Sequence, residues 1–239
     1  MPRLFIGTLP LDPVDPAEAL ARVEGIVNGS RAGQIVTLNA LMYNASLHDE
    51  ALREAVRSAA LVVPDSAGIA LACRLLHDRR PRRVTGIDLL RSICALAAQQ
   101  GHGIYLLGGR EGAAREAAAA LQRQYPGLRV TGCHHGYFGS GEEEGVVREI
   151  NASGAAVLFA ALAMPEQEKW IARNLPGLGV KAAMGVGGSF DVIAGRLRRA
   201  PGWMQEAGLE WLYRLLQQPW RWRRILELPV FVVNIAKLP

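Results

Sequence analysis

Short apolar runs bounded by turn residues alternate with helical stretches along most of the chain. No other feature constrains the fold as tightly. The runs are Gln34-Ile35-Val36-Thr37, Leu61-Val62-Val63, Ile104-Tyr105-Leu106-Leu107, Leu128-Arg129-Val130, Val157-Leu158-Phe159-Ala160 and Val180-Lys181-Ala182-Ala183. Segments of this kind read as strands of a parallel sheet buried on both faces. Between them, Pro16 to Asn28 places Leu20, Val23 and Val27 on one helical face. A second helix is predicted from Glu111 to Arg123, with Glu111 one turn before Arg115. Strand and helix in alternation predict an α/β fold, a doubly wound and mostly parallel sheet with right-handed crossovers.

Such sheets bind ligands beyond the carboxyl ends of their strands, so the residues after each run matter most. There stand Thr37-Leu38-Asn39, Pro64-Asp65-Ser66-Ala67-Gly68, Gly108-Gly109-Arg110-Glu111-Gly112, Met164-Pro165-Glu166-Gln167 and Gly185-Val186-Gly187-Gly188-Ser189-Phe190-Asp191. Two of these are glycine loops whose amides could cradle a phosphate at a helix start. Either loop alone is equally well a tight turn that needs glycine for geometry. Both together, at one sheet edge, favour a nucleotide. Asp65 reads either as a helix N-cap or as a general base. No Asp-x-Asp pair occurs, so the usual ligands for a metal holding a diphosphate are missing, and arginines and loop amides are left to stabilise such a group. His134 and His135 are adjacent on an expected strand, which would point them to opposite faces and argues against a shared metal.

From about Pro201 the pattern changes. Trp203, Trp211, Trp220 and Trp222 crowd together with arginines, and Leu209, Leu212, Tyr213, Leu215 and Leu216 form an apolar helical stripe. From residue 196 onward, Arg196, Arg198, Arg199, Arg214, Arg221, Arg223, Arg224 and Lys237 face only Glu206, Glu210 and Glu227. A basic segment rich in tryptophan suits a lipid interface first, self-association into a homo-oligomer second, and nucleic acid a distant third. The chain therefore divides into an α/β core, residues 1–195, of two lobes meeting near 100, and a helical membrane-docking appendage, residues 196–239. Its start breaks into Pro and Asp too early for a signal peptide. The longest apolar run, Ala155 to Met164, is about half the ~20 residues a membrane span requires. Cys73, Cys94 and Cys133 are widely spaced and read as buried thiols of a cytosolic protein.

Taken together these motifs form a recognisable set. Thr37-x-Asn39-Ala40, Val63-Pro64-Asp65-x-x-Gly68, Arg83-Val84-Thr85-Gly86-Ile87-Asp88-Leu89 and Tyr105-Leu106-Leu107-Gly108-Gly109 come in order. His134-His135-Gly136-Tyr137-Phe138, Pro165-x-Gln167-Glu168-Lys169-Trp170, Gly185-Val186-Gly187-Gly188-Ser189-Phe190-Asp191, Arg199-Ala200-Pro201 and Gly208-Leu209-Glu210-Trp211-Leu212-Tyr213-Arg214-Leu215 follow. Over residues 4 to 235 the chain closely resembles the WecG/TagA/CpsF glycosyltransferases. It departs from the usual pattern at Ser66, Ala163 and Leu41, where the family commonly has Gly, Gly and Glu.

The resemblance implies a Rossmann-like, metal-independent, inverting enzyme that needs no cofactor. In the TagA branch, N-acetylmannosamine passes from UDP to undecaprenyl-diphosphate-linked N-acetylglucosamine, the first committed step of wall teichoic acid linkage-unit synthesis. The implied partners are a UDP-sugar donor, a polyprenyl-diphosphate-linked sugar acceptor and the inner face of the cell membrane. Relatives use N-acetylmannosaminuronic acid or other sugars. The resemblance places the base on Asp65 with Thr37 and Asn39 beside it, and substrate contacts on Arg83 and Gln167. Arg214, Arg221 and Arg224 match arginines that complete the site on membrane docking. With the glycine loops, Gly108, Gly109, Tyr137, Gly187, Gly188, Ser189 and Asp191 complete the expected substrate-binding set. A nucleotide-binding membrane adaptor would not need Asp65 or Thr37. A nucleotide-sugar dehydrogenase or epimerase would need a full dinucleotide fingerprint, which is lacking.

Overall fold

A computed structural model describes residues 2–79 and 81–238. The chain opens with a small antiparallel hairpin, β1 (Leu4–Ile6) and β2 (Leu9–Leu11), then α1 (Pro16–Val27). Next come β3 (Gly33–Leu38), α2 (Ala40–Ser46), α3 (Glu50–Arg57), β4 (Leu61–Pro64), α4 (Ala67–His77) and α5 (Gly86–Gln100). The second half runs β5 (Gly103–Gly108), α6 (Ala113–Gln124), β6 (Arg129–His134), α7 (Glu143–Ala152), β7 (Val157–Ala161), α8 (Glu166–Asn174), β8 (Ala182–Gly185) and α9 (Ser189–Ile193). Four helices finish the chain: α10 (Gly202–Glu206), α11 (Glu210–Gln217), α12 (Trp222–Ile225) and α13 (Glu227–Ala236).

Six strands form one wholly parallel sheet in the order β4-β3-β8-β7-β5-β6. The α/β expectation holds, and each predicted run lies in or beside an observed strand. Strand alternation sorts the side chains into two layers. Ile35, Leu61, Val63, Ile104, Leu106, Phe159 and Met184 face α1, α5 and α6 in one core cluster. On the opposite face Val36, Leu38 and Val62 meet the hairpin, α2, α4 and α13, while Tyr105, Leu107, Leu158 and Ala183 meet α7 and α8. Burial on both faces leaves only the strand ends for polar chemistry.

Local signals set the element boundaries. Asp15 and Glu18 close a reciprocal capping box on α1, with Pro16 in the first turn. The helix expected from Glu111 begins instead at Ala113, because Gly112 takes a left-handed φ of 79° ahead of it. Glu111 therefore lies outside α6 and no ion pair to Arg115 forms among the described residues. The two histidines are also corrected: β6 ends at His134, and the His134 and His135 rings lie 4.5 Å apart instead of on opposite faces. The hairpin went unread because its strands are three residues long and carry Pro10.

That hairpin covers a sheet edge through one buried carboxylate. Asp12 is 1% exposed; its Oδ2 accepts from the Val62 amide at 2.9 Å and its Oδ1 from Arg22 at 2.8 Å. Arg3 adds a bond at 3.1 Å, and the Asp12 amide donates to the Val62 carbonyl. The edge strand β4, which carries Asp65 at its end, is thus fixed from outside. Asp12→Ala orphans the Val62 amide and frees two arginines. It should lower unfolding stability by roughly 2–3 kcal/mol in urea titration while leaving far-UV circular dichroism native. A loss under about 0.5 kcal/mol would show that the edge is held by apolar packing alone.

Candidate functional site

A cleft of about 1250 Å³ opens at the carboxyl ends of the strands. The loops after all six sheet strands line one part of it, and α11, α12 and α13 line another. Thr37, Asn39, Asp65, Arg83, Gly109, Tyr137, Gln167, Gly187, Gly188, Ser189, Asp191, Arg214, Arg221 and Arg224 all border it. Gly108 alone of the expected residues does not. It lies within β5 at φ 119°, where a Cβ would collide with the Ala161 backbone at 2.5 Å. Its glycine serves strand pairing.

Asp65 follows β4 in the turn to α4. The helix cap beside it is Ser66, whose hydroxyl accepts from the Ile69 amide. Asp65 is therefore relieved of the capping role. Its amide donates to Leu38 and its Oδ1 accepts from the Gly86 amide at 2.9 Å, while the other oxygen has no protein partner among the described residues. Loss of solvation pushes the carboxyl up to about 6, against the opposing pull of the Gly86 bond and the Arg83 charge. A carboxylate poised there is suited to accepting a proton near neutral pH. Thr37, at the end of β3, faces Gly86 with its hydroxyl 3.4 Å from where a Cβ would stand. Asn39 caps α2 by accepting from the Met42 amide at 3.0 Å.

The glycine loops behave differently from an anion cradle. The Gly109 amide donates to Ala161, and the Gly187 amide donates to Gln167 Oε1 at 2.9 Å. These two amides are engaged within the protein, while the Gly188 amide has no hydrogen-bond partner among the described residues. Ser189 likewise donates its hydroxyl to the Val186 carbonyl. Gln167, 5% exposed, is itself aimed by Glu168: its Nε2 donates to Glu168 Oε1 at 2.7 Å. Burial raises the Glu168 carboxyl to about 7, and its second oxygen has no partner among the described residues. Gly185 is required beneath this pair, since a Cβ would lie 2.7 Å from the Gln167 amide nitrogen. Glu168 stood inside a quoted motif, but nothing in the sequence marked it as the residue that orients Gln167.

Positive charge comes from the C-terminal helices. Arg214 passes so close to Gly188 that a Cβ there would overlap its guanidinium, and its Nε is buried without a partner among the described residues. Burial lowers the pKa of Arg214 and pulls Arg221 down to about 10, the latter helped by the charges of Arg214 and Arg224. Among the described residues none of these three arginines has an ion pair. The neighbouring arginines do. Arg83 pairs with Glu210 and donates to the Gln205 carbonyl at 3.1 Å, while Arg199 bridges Asp88 at 2.5 Å and Glu210 at 3.4 Å. Three arginines without ion pairs among the described residues border one cleft and give it the positive potential that a multiply charged anion would need. No group of three or more His, Cys, Asp or Glu suited to a metal occurs among the described residues.

The model of the Glycosyl transferase WecG/TagA/CpsF family matches residues 4–238. A curated relative from Bacillus subtilis (strain 168), an N-acetylglucosaminyldiphosphoundecaprenol N-acetyl-beta-D-mannosaminyltransferase, is 32% identical over 85% of this chain and 78% of its own length. A relative with the same name from Staphylococcus aureus (strain MRSA252) is 33% identical over 85% of this chain and 79% of its own.

The environment of Asp65 carries a measurable cost. Its folded carboxyl titrates above its ordinary 3.8, so wild-type stability falls as pH rises from about 4 past 6. Asp65→Asn keeps the acceptor for Gly86 and removes the ionisation. The variant should be more stable than wild type at pH 8, by on the order of 1 kcal/mol after allowance for partial exposure, and the gap should close toward pH 4. Urea unfolding at the two pH values measures it. A gap independent of pH would mean that Asp65 titrates normally.

Proposed function

The chain belongs to the WecG/TagA/CpsF glycosyltransferase family, and on that premise we propose that it moves N-acetylmannosamine from UDP onto polyprenyl-diphosphate-linked N-acetylglucosamine. That it is a glycosyltransferase follows from the family and its relatives. The finer reading rests chiefly on one observation: a single desolvated aspartate shares a cleft with three arginines that have no ion pairs. A transferase that inverts its sugar centre needs those two elements and little else.

In this reading Asp65 takes the proton of the acceptor hydroxyl as that oxygen attacks the anomeric carbon from the face opposite UDP. The bond from the anomeric carbon to the diphosphate oxygen breaks, and negative charge grows on the departing UDP. Arg214, Arg221 and Arg224 stabilise that charge where a metal would in other nucleotide-sugar enzymes. Gln167, held by Glu168, and Gly187 shape the donor side of the cleft. Thr37, Asn39 and Arg83 line the region around Asp65.

Residues 196–239 act in this proposal as the docking unit for the inner face of the cell membrane. Trp203, Trp220 and Trp222 are 65%, 70% and 53% exposed, and Arg223 stacks over the Trp222 ring at 5.6 Å. No helix among the described residues is long and apolar enough to cross a membrane. Charge neutralisation from docking helices would couple turnover to membrane contact. The product then enters synthesis of a teichoic acid linkage unit or a related surface polysaccharide.

The test is UDP release from UDP-N-acetylmannosamine with a short-chain lipid-diphosphate N-acetylglucosamine acceptor in EDTA. Wild type should release UDP only with acceptor, and activity should fall as pH drops through about 6, where Asp65 becomes protonated. Asp65→Ala should lose about 10²–10⁴-fold and Arg214→Ala about 10²-fold in kcat. Undiminished turnover in Asp65→Ala would place the base elsewhere. Activity that needs an added divalent ion would overturn metal independence, and turnover only with another UDP-sugar would reassign the donor.

A further inference from the structure

A second hollow, about 350 Å³, lies between α4 and α13 and is lined entirely by apolar residues and glycine. Leu71, Leu75 and Leu76 come from α4; Val232, Ile235 and Ala236 come from α13. The spacing explains the groove. On α4 these leucines recur at helical intervals along one side, and on α13 residues 232, 235 and 236 do the same. Gly68 lets the two helices approach, with the Phe231 ring 3.2 Å from where a Cβ would stand. The groove is continuous with the main cleft, because Gly68, Leu71, Phe231 and Val232 border both. Leu71, Leu75 and Val232 are 51%, 68% and 59% exposed, so the apolar wall is open to an occupant.

We infer that this groove holds the first isoprenoid units of the acceptor's polyprenyl chain. The inference rests on the reading of the acceptor as a prenyl-linked diphosphate, and it adds the place where the chain leaves the site. Such a ligand has a doubly anionic head and a branched apolar tail. The arginines that serve the leaving UDP also give the whole cleft a positive field that attracts this second diphosphate, and an apolar extension of the cleft opens at Gly68, on the helix that follows Asp65. Head and tail are thus matched in order along one continuous surface. The chain would run between α4 and α13, past the exposed Leu75 toward the C-terminal end of the last helix, and from there into the bilayer.

Binding can be separated from transfer. Farnesyl diphosphate and dimethylallyl diphosphate share a head and differ only in tail length, and calorimetric titration in detergent-free, lipid-free buffer reads both. Wild type should bind the farnesyl compound at least tenfold more tightly, a ratio that burial of about two extra carbons already provides. Leu75→Gln and Ala236→Gln lie outside the main cleft and at exposed positions, so both should fold normally. They should reduce that ratio to near one while leaving dimethylallyl diphosphate affinity unchanged. Equal affinities in wild type, or a ratio unaltered by both variants, would overturn the proposal. So would variants that change only the sedimentation of the protein, since the groove would then be a contact between two copies. If the chain-length preference vanishes in the variants but no prenyl-linked sugar is ever glycosylated, the groove stands and the acceptor reading falls.

Discussion

A parallel sheet covered by helices on both faces leaves its polar chemistry nowhere to go but the strand ends. Everything in the cleft depends on this. The two sheet faces are filled by Ile35, Leu106, Phe159 and Met184 on one side and Val36, Leu38, Tyr105 and Leu158 on the other. The polar residues that the chain must still place, from Thr37 and Asp65 through Gln167 to Asp191, collect at one edge. The last strand, β8, inserts between β3 and β7, so the loop carrying Gly187 and Gly188 comes to the centre of that edge instead of its rim. Strand order, more than any single motif, brings the glycine loop, Gln167 and Asp65 into one cleft.

Electrostatics then divide the arginines into two sets. Arg83 and Arg199 are held by Glu210 and Asp88, and this network ties α11 to the turn before α5. Arg214, one turn beyond Glu210 on the same helix, has no such partner and lies against Gly188. The ion pairs thus act as the anchor that delivers the unpaired cation. Further along, Asn44 bonds Glu227 and Asn234, and Phe231 meets Tyr43 edge-on at 5.4 Å, which fixes α13 over α2. The C-terminal segment is held at both ends, with its unpaired arginines between. Such an arrangement holds Arg214 and Arg221 partly desolvated without an opposing ion pair among the described residues, a cost that an anion in the cleft would offset.

Much of this was legible in the sequence because the apolar-run and helical-spacing signals come from burial, the strongest force in the fold. Asp65 was legible because it followed an apolar run and preceded a helix. Its freedom from capping was not, since Ser66 next to it is an equally good cap and only geometry decides between them. The glycine loops misled in one respect: glycines at strand ends suggest open amides, but the Gly109 and Gly187 amides close on Ala161 and Gln167. Asp12 and Glu168 went unread for a common reason. Each acts through partners distant in sequence or through a neighbour's orientation, and a linear reading carries no signal for that.

Two engaged loop amides, those of Gly109 and Gly187, and three arginines without ion pairs among the described residues border one cleft. A cradle of loop amides is preorganised in the folded core and would favour a diphosphate at all times. Arginines on α11 and the helices after it supply the same neutralisation from elements held to the core by ion pairs and one apolar helix. Their placement depends on that docking, so the affinity of the cleft for an anion is tied to where the C-terminal helices sit. The same segment carries the exposed Trp203, Trp220 and Trp222, so on the proposed membrane docking a surface that moved it would also move the charge of the cleft. In the proposed reaction, a partly desolvated cation relieved by an incoming anion, and an anion released once its sugar has left, would be steps of a single electrostatic cycle.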